Sequence, residues 1–363
     1  MKIGFVVEPY EESHASGMGY SVMETMLHLP LVGPEHQYFF YSTRPITQKL
    51  LPVGSTNVLM PKGFVWQFFW FMGLRSTDID ALLFVAPLLP LLVSKKIRTI
   101  VLCKDLASFV VGSGSLREYI KTVIRDRVLM SLSVARATFI ATSSYATKRD
   151  LMTIYGVPEH KIAVTYEGFQ DFSDTEERID ETLLPYFFFT GKVKYRKNVH
   201  GIAAGFVAFK RRTNAECRLV IAGDSGGAYH ENILRILREG GVEKDAHFVG
   251  YVSKGQLKGW YMRALGVVFP SFNEGFGMPI IEAMSLGTPV ITSNISSLPE
   301  VAGEAGILVD PYDSAEIGNA MEKIFTDRAL RNRLIEKGYT QAKKFSWTKT
   351  AQAYLILLEK TVS

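Results

Sequence analysis

Two glutamates in the C-terminal half of the chain have the residue type and spacing for sugar and phosphate chemistry. Glu274 and Glu282 are separated by seven residues, and a glycine-bearing segment lies between them. An apolar run precedes the segment, and a short helical pattern follows it, with Pro279 expected as the first helical residue and Gly287 as the stop signal. A loop that enters a helix presents backbone N–H groups and the positive end of the helix dipole to an anion. The pattern predicts a carboxylate on each side of an anion site.

A second cluster places four cations within six residues, directly after a predicted strand: Lys192, Lys194, Arg196 and Lys197. Arginine offers a planar fork and lysine a point charge to phosphate oxygens. Alone, the cluster fits a solvated basic loop equally well, but its pairing with the glycine segment favours phosphate. A diphosphate held by cations and amides, with carboxylates that accept sugar and ribose hydroxyls, is what a nucleotide sugar requires.

Two glycines after the first predicted strand, Gly17 and Gly19, would let the backbone approach a diphosphate at the start of the next helix. A simple turn is an equally good interpretation of this pair. The third glycine of a dinucleotide fingerprint is missing, and no acidic residue ends the second predicted strand, so NAD binding is disfavoured.

Asp105 follows Lys104 at the end of a predicted strand and could orient a sugar or act as a base. The local sequence favours a helix cap or turn residue. Asp78 and Asp80 have the spacing of a carboxylate pair, but they precede a strand and fit a surface turn better than a metal site. The seven histidines show no ligand spacing and no Ser or Cys partner motif. The sequence therefore predicts no metal site and no hydrolase triad.

Short apolar runs alternate with helical patterns along the whole chain. Their hydrophobicity is continuous rather than alternating, as in parallel strands that are buried on both faces. This order predicts two doubly wound α/β units with a polar, acidic boundary near residues 168–185. Ligands of such sheets bind at the carboxyl ends of the strands, so we expect the site in a cleft between the two units. The strand predictions are 2–7, 37–42, 81–86, 99–103, 137–142 and 161–166, then 186–190, 217–222, 246–249, 266–270, 289–292 and 306–309.

The bulk composition sets further limits. The net charge of +5 is modest, and no dense basic run with interleaved aromatic residues is present, so nucleic acid is a poor candidate partner. The two cysteines, Cys103 and Cys217, cannot form a disulfide framework, which favours a reducing compartment. The N-terminus lacks the pattern of a signal peptide, and the longest apolar stretch, 81–93, is too short and proline-rich to span a membrane. The aromatic segment 64–72 could touch a membrane interface, although a buried helix is the better interpretation.

Together these motifs resemble the retaining glycosyltransferases of family 4, whose GT-B fold has two facing Rossmann-like, doubly wound parallel-sheet domains. The resemblance covers nearly the whole chain and is most specific in residues 274–284 and 287–291. It implies an acceptor-binding domain at residues 1–172 and a nucleotide-sugar-binding domain at 173–346. A final helix at 347–363 would cross back to the first domain.

The resemblance also implies roles for single residues. Glu274 would contact the transferred sugar near the reacting centre, and Glu282 would accept hydrogen bonds from the ribose diol. Arg196 and Lys197 would neutralise the diphosphate as it leaves, which would make a metal or other cofactor unnecessary. Asp105 would belong to the catalytic set, although relatives usually have a histidine where this chain has Lys104. Further donor contacts would come from Gly17, Gly19 and the backbone of Gly275, Phe276, Gly277 and Met278.

The motifs around residues 196–198 and 293–300 look most like those of bacterial mannosyltransferases that use GDP-mannose, and UDP-glucose or another UDP-hexose stays open. The expected partners are a nucleotide sugar and a glycan or lipid-linked acceptor. The expected location is cytoplasmic, at the inner face of the membrane as a peripheral protein. Two other classes also stay open: a UDP-sugar epimerase on the same fold, and a non-catalytic sugar- or partner-binding module.

Overall fold

The computed structural model of the 363-residue chain describes residues 1–7, 17–62, 74–75, 78–85, 93–106, 130–173 and 177–362. The chain divides into two compact units. Unit 1 comprises Met1–Gly168 and Ser346–Ser363, and unit 2 comprises Phe169–Phe345. The chain thus passes between the units after Gly168 and after Phe345, whereas the sequence placed these passages after residues 172 and 346.

The described residues of unit 1 form a parallel sheet of seven strands in the order β3-β2-β1-β4-β5-β6-β7. The first strand lies inside the sheet, third in this order, and the chain forms the β2–β3 side before it returns to form the β4–β7 side. The strands are β1 (Lys2–Val6), β2 (Gln37–Ser42), β3 (Thr56–Leu59), β4 (Ala81–Val85), β5 (Arg98–Cys103), β6 (Phe139–Thr142) and β7 (Ile162–Val164).

Unit 2 repeats this plan with six parallel strands in the order β10-β9-β8-β11-β12-β13. The strand order reverses between β8 and β11, and such a switch point is where open α/β sheets bind ligands. The strands are β8 (Tyr186–Thr190), β9 (Arg218–Ala222), β10 (Ala246–Gly250), β11 (Gly266–Phe269), β12 (Val290–Ser293) and β13 (Gly306–Val309).

Eleven α-helices occur in the described part of the chain. In unit 1 they are α1 (Gly17–Val32), α2 (Met130–Arg136), α3 (Tyr145–Tyr155) and the final helix α11 (Trp347–Val362), which packs against α1. In unit 2 they are α4 (Val199–Thr213), α5 (Gly227–Glu239), α6 (Lys254–Arg263), α7 (Met278–Ser285), α8 (Leu298–Ala302), α9 (Ser314–Thr326) and α10 (Arg328–Ala342).

The central strands are buried along their whole length, which is the physical reason for their continuous hydrophobicity. Tyr186, Phe187, Phe188 and Phe189 of β8 are completely buried, and aromatic rings from the flanking helices pack edge-on against them. The predicted class of two parallel-sheet α/β units is confirmed.

The structure differs from the sequence predictions at two places. The sequence analysis missed the strand Thr56–Leu59 because it lies at the edge of the described sheet. Two of its four residues are polar, none is fully buried, and Leu59 is about half exposed. The helix after the glycine segment begins at Met278, one residue before Pro279, and Gly277 precedes it in the left-handed region (φ 117°). A side chain at Gly277 would also press on Leu298, 2.8 Å from an ideal Cβ, so this position requires glycine.

No helix within the described ranges has both the length and the apolar character that crossing a bilayer requires. The aromatic segment 64–72 lies outside the described residues.

Candidate functional site

The site is centred on Glu274, which lies in the loop after β11. Its carboxylate accepts hydrogen bonds from Arg196 Nη1 at 2.9 Å and from Lys197 Nζ at 2.6 Å. Both cations follow β8, the neighbour of β11 in the sheet, so the loops meet at the switch point of unit 2. We call these three residues the Glu274 cluster. The sequence predicted each of them for the site, although not that the cations would bind the glutamate.

The Glu274 cluster holds opposed charges away from water. Glu274 is 9% exposed. Burial alone would raise the pKa of this carboxyl, but the charges of Lys197 and Arg196 outweigh that effect and hold the pKa below its usual value. Lys197 also lies over the ring of Phe269, with Nζ 4.7 Å from the ring centre. With two cations and one carboxylate, the cluster keeps one net positive charge.

Backbone bonds fix the two loops to each other. Arg196 donates from Nη1 to the carbonyl oxygen of Asn273 (2.6 Å), and its own carbonyl oxygen accepts the N–H of Phe272 (2.9 Å). Asn198 is fully buried in the left-handed region (φ 55°), where it caps α4 and donates to the carbonyl oxygens of Pro270 and Pro311. Asparagine tolerates this conformation and supplies both a donor and an acceptor, so it can join three segments.

Two serines that the sequence analysis did not single out hold the backbone of Glu274. Ser296 accepts the N–H of Glu274 at 3.1 Å and lies 2.9 Å from its carbonyl oxygen. Ser297 is buried and approaches the carbonyl oxygens of Glu274 and Phe276 at 2.9 and 2.8 Å. Both serines follow β12, so a third loop at the same sheet edge supports the glutamate. Both serines lie in the motif 293–300, which is the feature of the sequence that could have indicated their contact with Glu274.

The glycine segment leads into α7, and the side chain of Phe276 in this segment points into the protein. Phe276 is buried, and its ring packs edge-on against Phe345 at 5.5 Å. The predicted ligand contacts of Gly275, Phe276, Gly277 and Met278 were backbone contacts, and the burial of Phe276 is compatible with them. Because α7 starts at Met278, the N–H of Met278 and the positive end of the helix dipole give this loop the features of an anion site. Pro279 has no N–H, and the N–H of Ile280 donates to the carbonyl oxygen of Gly277.

Glu282 lies inside α7 and forms a buried pair with Tyr261 of α6. The tyrosine hydroxyl donates to Glu282 Oε2 at 2.8 Å, and the carboxylate is 7% exposed. Burial raises the pKa of Glu282 to about 7, although hydrogen bonds from Tyr261 and from the backbone of Gln170 act in the opposite direction. Tyr261 was predicted only as part of a helix, because nothing in its spacing points to Glu282.

The remaining predicted residues, Gly17, Gly19 and Asp105, belong to unit 1. Both glycines lie in the first turn of α1, and Asp105 follows β5. Lys104 is buried and forms an ion pair with Glu167. The site roles of these residues stay predictions.

Across the described residues, one group of three potential metal ligands comes together: Glu35, His36 and Glu359 in unit 1. None of them belongs to the predicted site. The Met1 amino group lies 3.4 Å from His36 Nδ1, and its positive charge opposes a cation there. The prediction that the protein uses no metal is not tested by this group.

Comparison with known proteins supports the prediction that unit 2 is similar to glycosyltransferases. Residues 172–341 match the family described as Glycosyl transferases group 1. O-antigen chain mannosyltransferase B of Escherichia coli is 32% identical over 241 residues, which are 62% of this chain and 62% of that protein. Serotype-specific mannosyltransferase WbdA of Escherichia coli is 28% identical over 267 residues, 70% of this chain but 32% of that protein. The chain thus spans less than two thirds of the length of these relatives.

Among solved structures, HepE of Anabaena in complex with UDP and glucose superposes with a TM-score of 0.75 at 15% identity, and the match covers 99% of this chain and 100% of HepE. At this identity the likeness shows the fold, which is of the predicted GT-B class. The family match covers the Glu274 cluster and the Tyr261–Glu282 pair. Residues 172–341, which contain the candidate site of unit 2, are thus similar to the family described as Glycosyl transferases group 1.

Proposed function

We propose that this protein is a retaining, metal-independent glycosyltransferase that moves mannose from GDP-mannose to a glycan or lipid-linked acceptor. The observation that carries the proposal is the Glu274 cluster, a buried carboxylate bound by two cations beside the start of α7. This arrangement combines a hydroxyl acceptor with an anion site, as the transfer of a sugar from a nucleotide diphosphate requires.

The charge balance of the cluster suits a leaving diphosphate. The net positive charge of the cluster and the positive end of the α7 dipole can stabilise the negative charge that grows on the diphosphate as the anomeric bond breaks. Because Glu274 already holds Arg196 and Lys197 in place, little reorganisation is needed at that moment. The two cations would then provide the charge stabilisation that a metal ion provides in other enzymes.

The two glutamates differ in their surroundings, which supports different roles. The ion-paired Glu274 stays ionised and can accept a hydrogen bond from a sugar hydroxyl near the reacting centre. Among the residues that the structure describes, the hydrogen-bond donors to Glu282 are neutral groups, the hydroxyl of Tyr261 and the backbone of Gln170. Glu282 fits a position that reads ribose hydroxyls, where orientation matters more than charge.

The relatives guide the choice of sugar. Both curated relatives named above are mannosyltransferases, one of them of the O-antigen chain, which favours mannose and a bacterial polysaccharide acceptor. HepE was solved with UDP and glucose, so UDP-hexoses are the alternative donors. An O-antigen-type acceptor would place the protein at the cytoplasmic face of the membrane as a peripheral protein.

The test compares the purified wild-type protein with Lys197→Met. Each is incubated with GDP-mannose, UDP-glucose or ADP-glucose, with and without a mannoside linked to a hydrophobic tail. We expect mannosylated product and free GDP only when acceptor is present. The variant should lose at least about a hundredfold in turnover, because it lacks a cation at the leaving group.

A matched control is Lys337→Met, which removes a lysine from an exposed ion pair with Glu304 in the same unit. It should keep wild-type turnover. Conversion of a UDP-sugar without acceptor would instead identify an epimerase. Failure of the wild-type protein to bind any nucleotide sugar in titration calorimetry would identify a non-catalytic module.

A further inference from the structure

Ser296, in the loop between β12 and α8, has a backbone conformation that residues with a side chain disfavour. Its φ is 60°, in the left-handed region. Among the residues that the structure describes, three other than glycine have a positive φ: Asn198, Asn214 and Ser296. Asparagine adopts this region more readily than most residues, because its short amide forms local hydrogen bonds. The conformation of Ser296 therefore has a cost, which its contacts must offset.

The hydroxyl of Ser296 forms two hydrogen bonds with one residue. It accepts the N–H of Glu274 at 3.1 Å and donates to the carbonyl oxygen of Glu274 at 2.9 Å. A serine hydroxyl has one hydrogen and an oxygen that accepts, so this side chain can serve both polar groups of the Glu274 backbone. The two bonds hold the peptide groups on either side of the Cα that carries the carboxylate.

The neighbouring Ser297 also directs its hydroxyl towards this segment. Ser297 is the N-cap residue of α8, but its side chain forms no capping hydrogen bond to that helix. The hydroxyl instead lies 2.8 Å from the carbonyl oxygen of Phe276 and 2.9 Å from that of Glu274. A serine at an N-cap ordinarily accepts a backbone N–H of its helix, which stabilises the helix. Two adjacent serines thus lose local stability, and both contact the segment that carries Glu274.

The carboxylate of Glu274 reaches both of its cations from this fixed backbone. It accepts from Arg196 Nη1 at 2.9 Å and from Lys197 Nζ at 2.6 Å. The two cations follow β8, whereas Ser296 follows β12, so the loop of Glu274 is held from two different loops. Hydrogen bonds of this length require a closely defined position of donor and acceptor. A shift of the Glu274 backbone would therefore displace the carboxylate from both cations at once.

We propose that Ser296 is a positioning residue for Glu274: its left-handed backbone places a hydroxyl that holds both peptide groups of Glu274, and thereby the carboxylate between Arg196 and Lys197. This inference rests on the proposed function, in which the Glu274 cluster stabilises the leaving diphosphate. All of these residues lie in unit 2. Glycine would adopt the same backbone without strain, so the hydroxyl is what serine adds at this position.

The test separates the hydroxyl from the backbone strain by comparing Ser296→Gly with Ser296→Ala. Both variants lack the hydroxyl, but only alanine keeps a Cβ in the left-handed region, so Ser296→Ala should have the lower melting temperature. The assay uses GDP-mannose and a mannoside linked to a hydrophobic tail. We expect kcat to fall on the order of tenfold in both variants, because the carboxylate loses its position. KM for GDP-mannose should stay within about twofold of wild type, since the lost interaction acts in the transition state.

Asn214 provides a matched control for the backbone strain. It is an exposed residue at the end of α4, with a φ of 48°. Asn214→Ala should therefore have a lower melting temperature than Asn214→Gly, as at position 296. Both control variants should keep the kcat of wild type, because Asn214 lies outside the Glu274 cluster.

Wild-type kcat in Ser296→Gly would overturn the proposal, and this variant decides the matter if Ser296→Ala does not fold. A fall in kcat that is confined to Ser296→Ala, or an equal fall in Asn214→Ala, would also overturn it, because turnover would then follow stability and not the hydroxyl. If the wild-type protein turns over no donor, the proposed function fails and this role fails with it. An active wild type with a fully active Ser296→Gly refutes the positioning role alone.

Discussion

We expect the stability of unit 2 to fall as the pH rises towards 7, because of Glu282. Its pKa is about 7 in the folded protein against an ordinary value of 4.5. The folded state therefore binds more protons than the unfolded state in this interval, and the free energy of unfolding decreases with pH. The contribution is fully present below about pH 4.5 and is lost once the pH has passed about 7. At about 1.4 kcal/mol per pKa unit, the shift corresponds to roughly 3 kcal/mol.

The assay compares wild type with Glu282→Gln by urea unfolding, followed by circular dichroism from about pH 4.5 to 8.5. Glutamine keeps the shape and the acceptor for Tyr261 but does not titrate. The two proteins should be about equally stable at the low end, and the variant should be more stable by roughly 3 kcal/mol at the high end. The other carboxylates are the same in both proteins, so their contributions cancel in the difference between the two free energies of unfolding. Glu336→Gln, at an exposed position, is the control, and the difference between its stability and that of wild type should not change with pH. A constant difference between wild type and Glu282→Gln would refute the reasoning.

Three further predictions concern single positions. Glu274→Gln should abolish transfer, since the neutral amide no longer holds Arg196 and Lys197, while circular dichroism shows a folded protein; wild-type turnover would contradict the site. Lys104→Met should lower the free energy of unfolding by roughly 3–5 kcal/mol in a urea titration, because it leaves Glu167 buried and unpaired. The double variant Lys104→Met with Glu167→Leu should recover most of that stability. Equal losses of stability in the single and the double variant would contradict this prediction. Gly223→Ala should lower the melting temperature, because the backbone φ of Gly223 is 133° and the new Cβ would overlap the carbonyl oxygen of Gly191. Gly226→Ala serves as the comparison, because the space around that position is open.

The fold could largely be predicted from the sequence, because strands that are buried on both faces appear there as continuous apolar runs. Strands such as Tyr186–Thr190 lie between helices on both faces, and their continuous apolar runs cannot be solvated. The strand Thr56–Leu59 carries no such signal, since it lies at the end of the sheet formed by the described residues and none of its side chains is fully buried.

The candidate site was predictable where one short segment contains both the chemistry and its backbone frame. Glu274, Glu282 and the glycines between them are of this kind. Contacts between distant segments were not predictable. Tyr261 reaches Glu282 across two helices, and Lys104 binds Tyr354 from 250 positions away. No spacing rule relates such residues, because their contact depends on how loops and helices pack after the sheet has formed.

The central claim is that the Glu274 cluster supports sugar transfer from a nucleotide diphosphate. The most direct test is proton NMR of GDP-mannose with wild-type protein and a lipid-tailed mannoside, with Lys197→Met measured in parallel. With the wild-type protein we expect a new anomeric signal of the same configuration as the donor, formed together with free GDP, and no such signal with the variant. Equal product formation by wild type and Lys197→Met would contradict it.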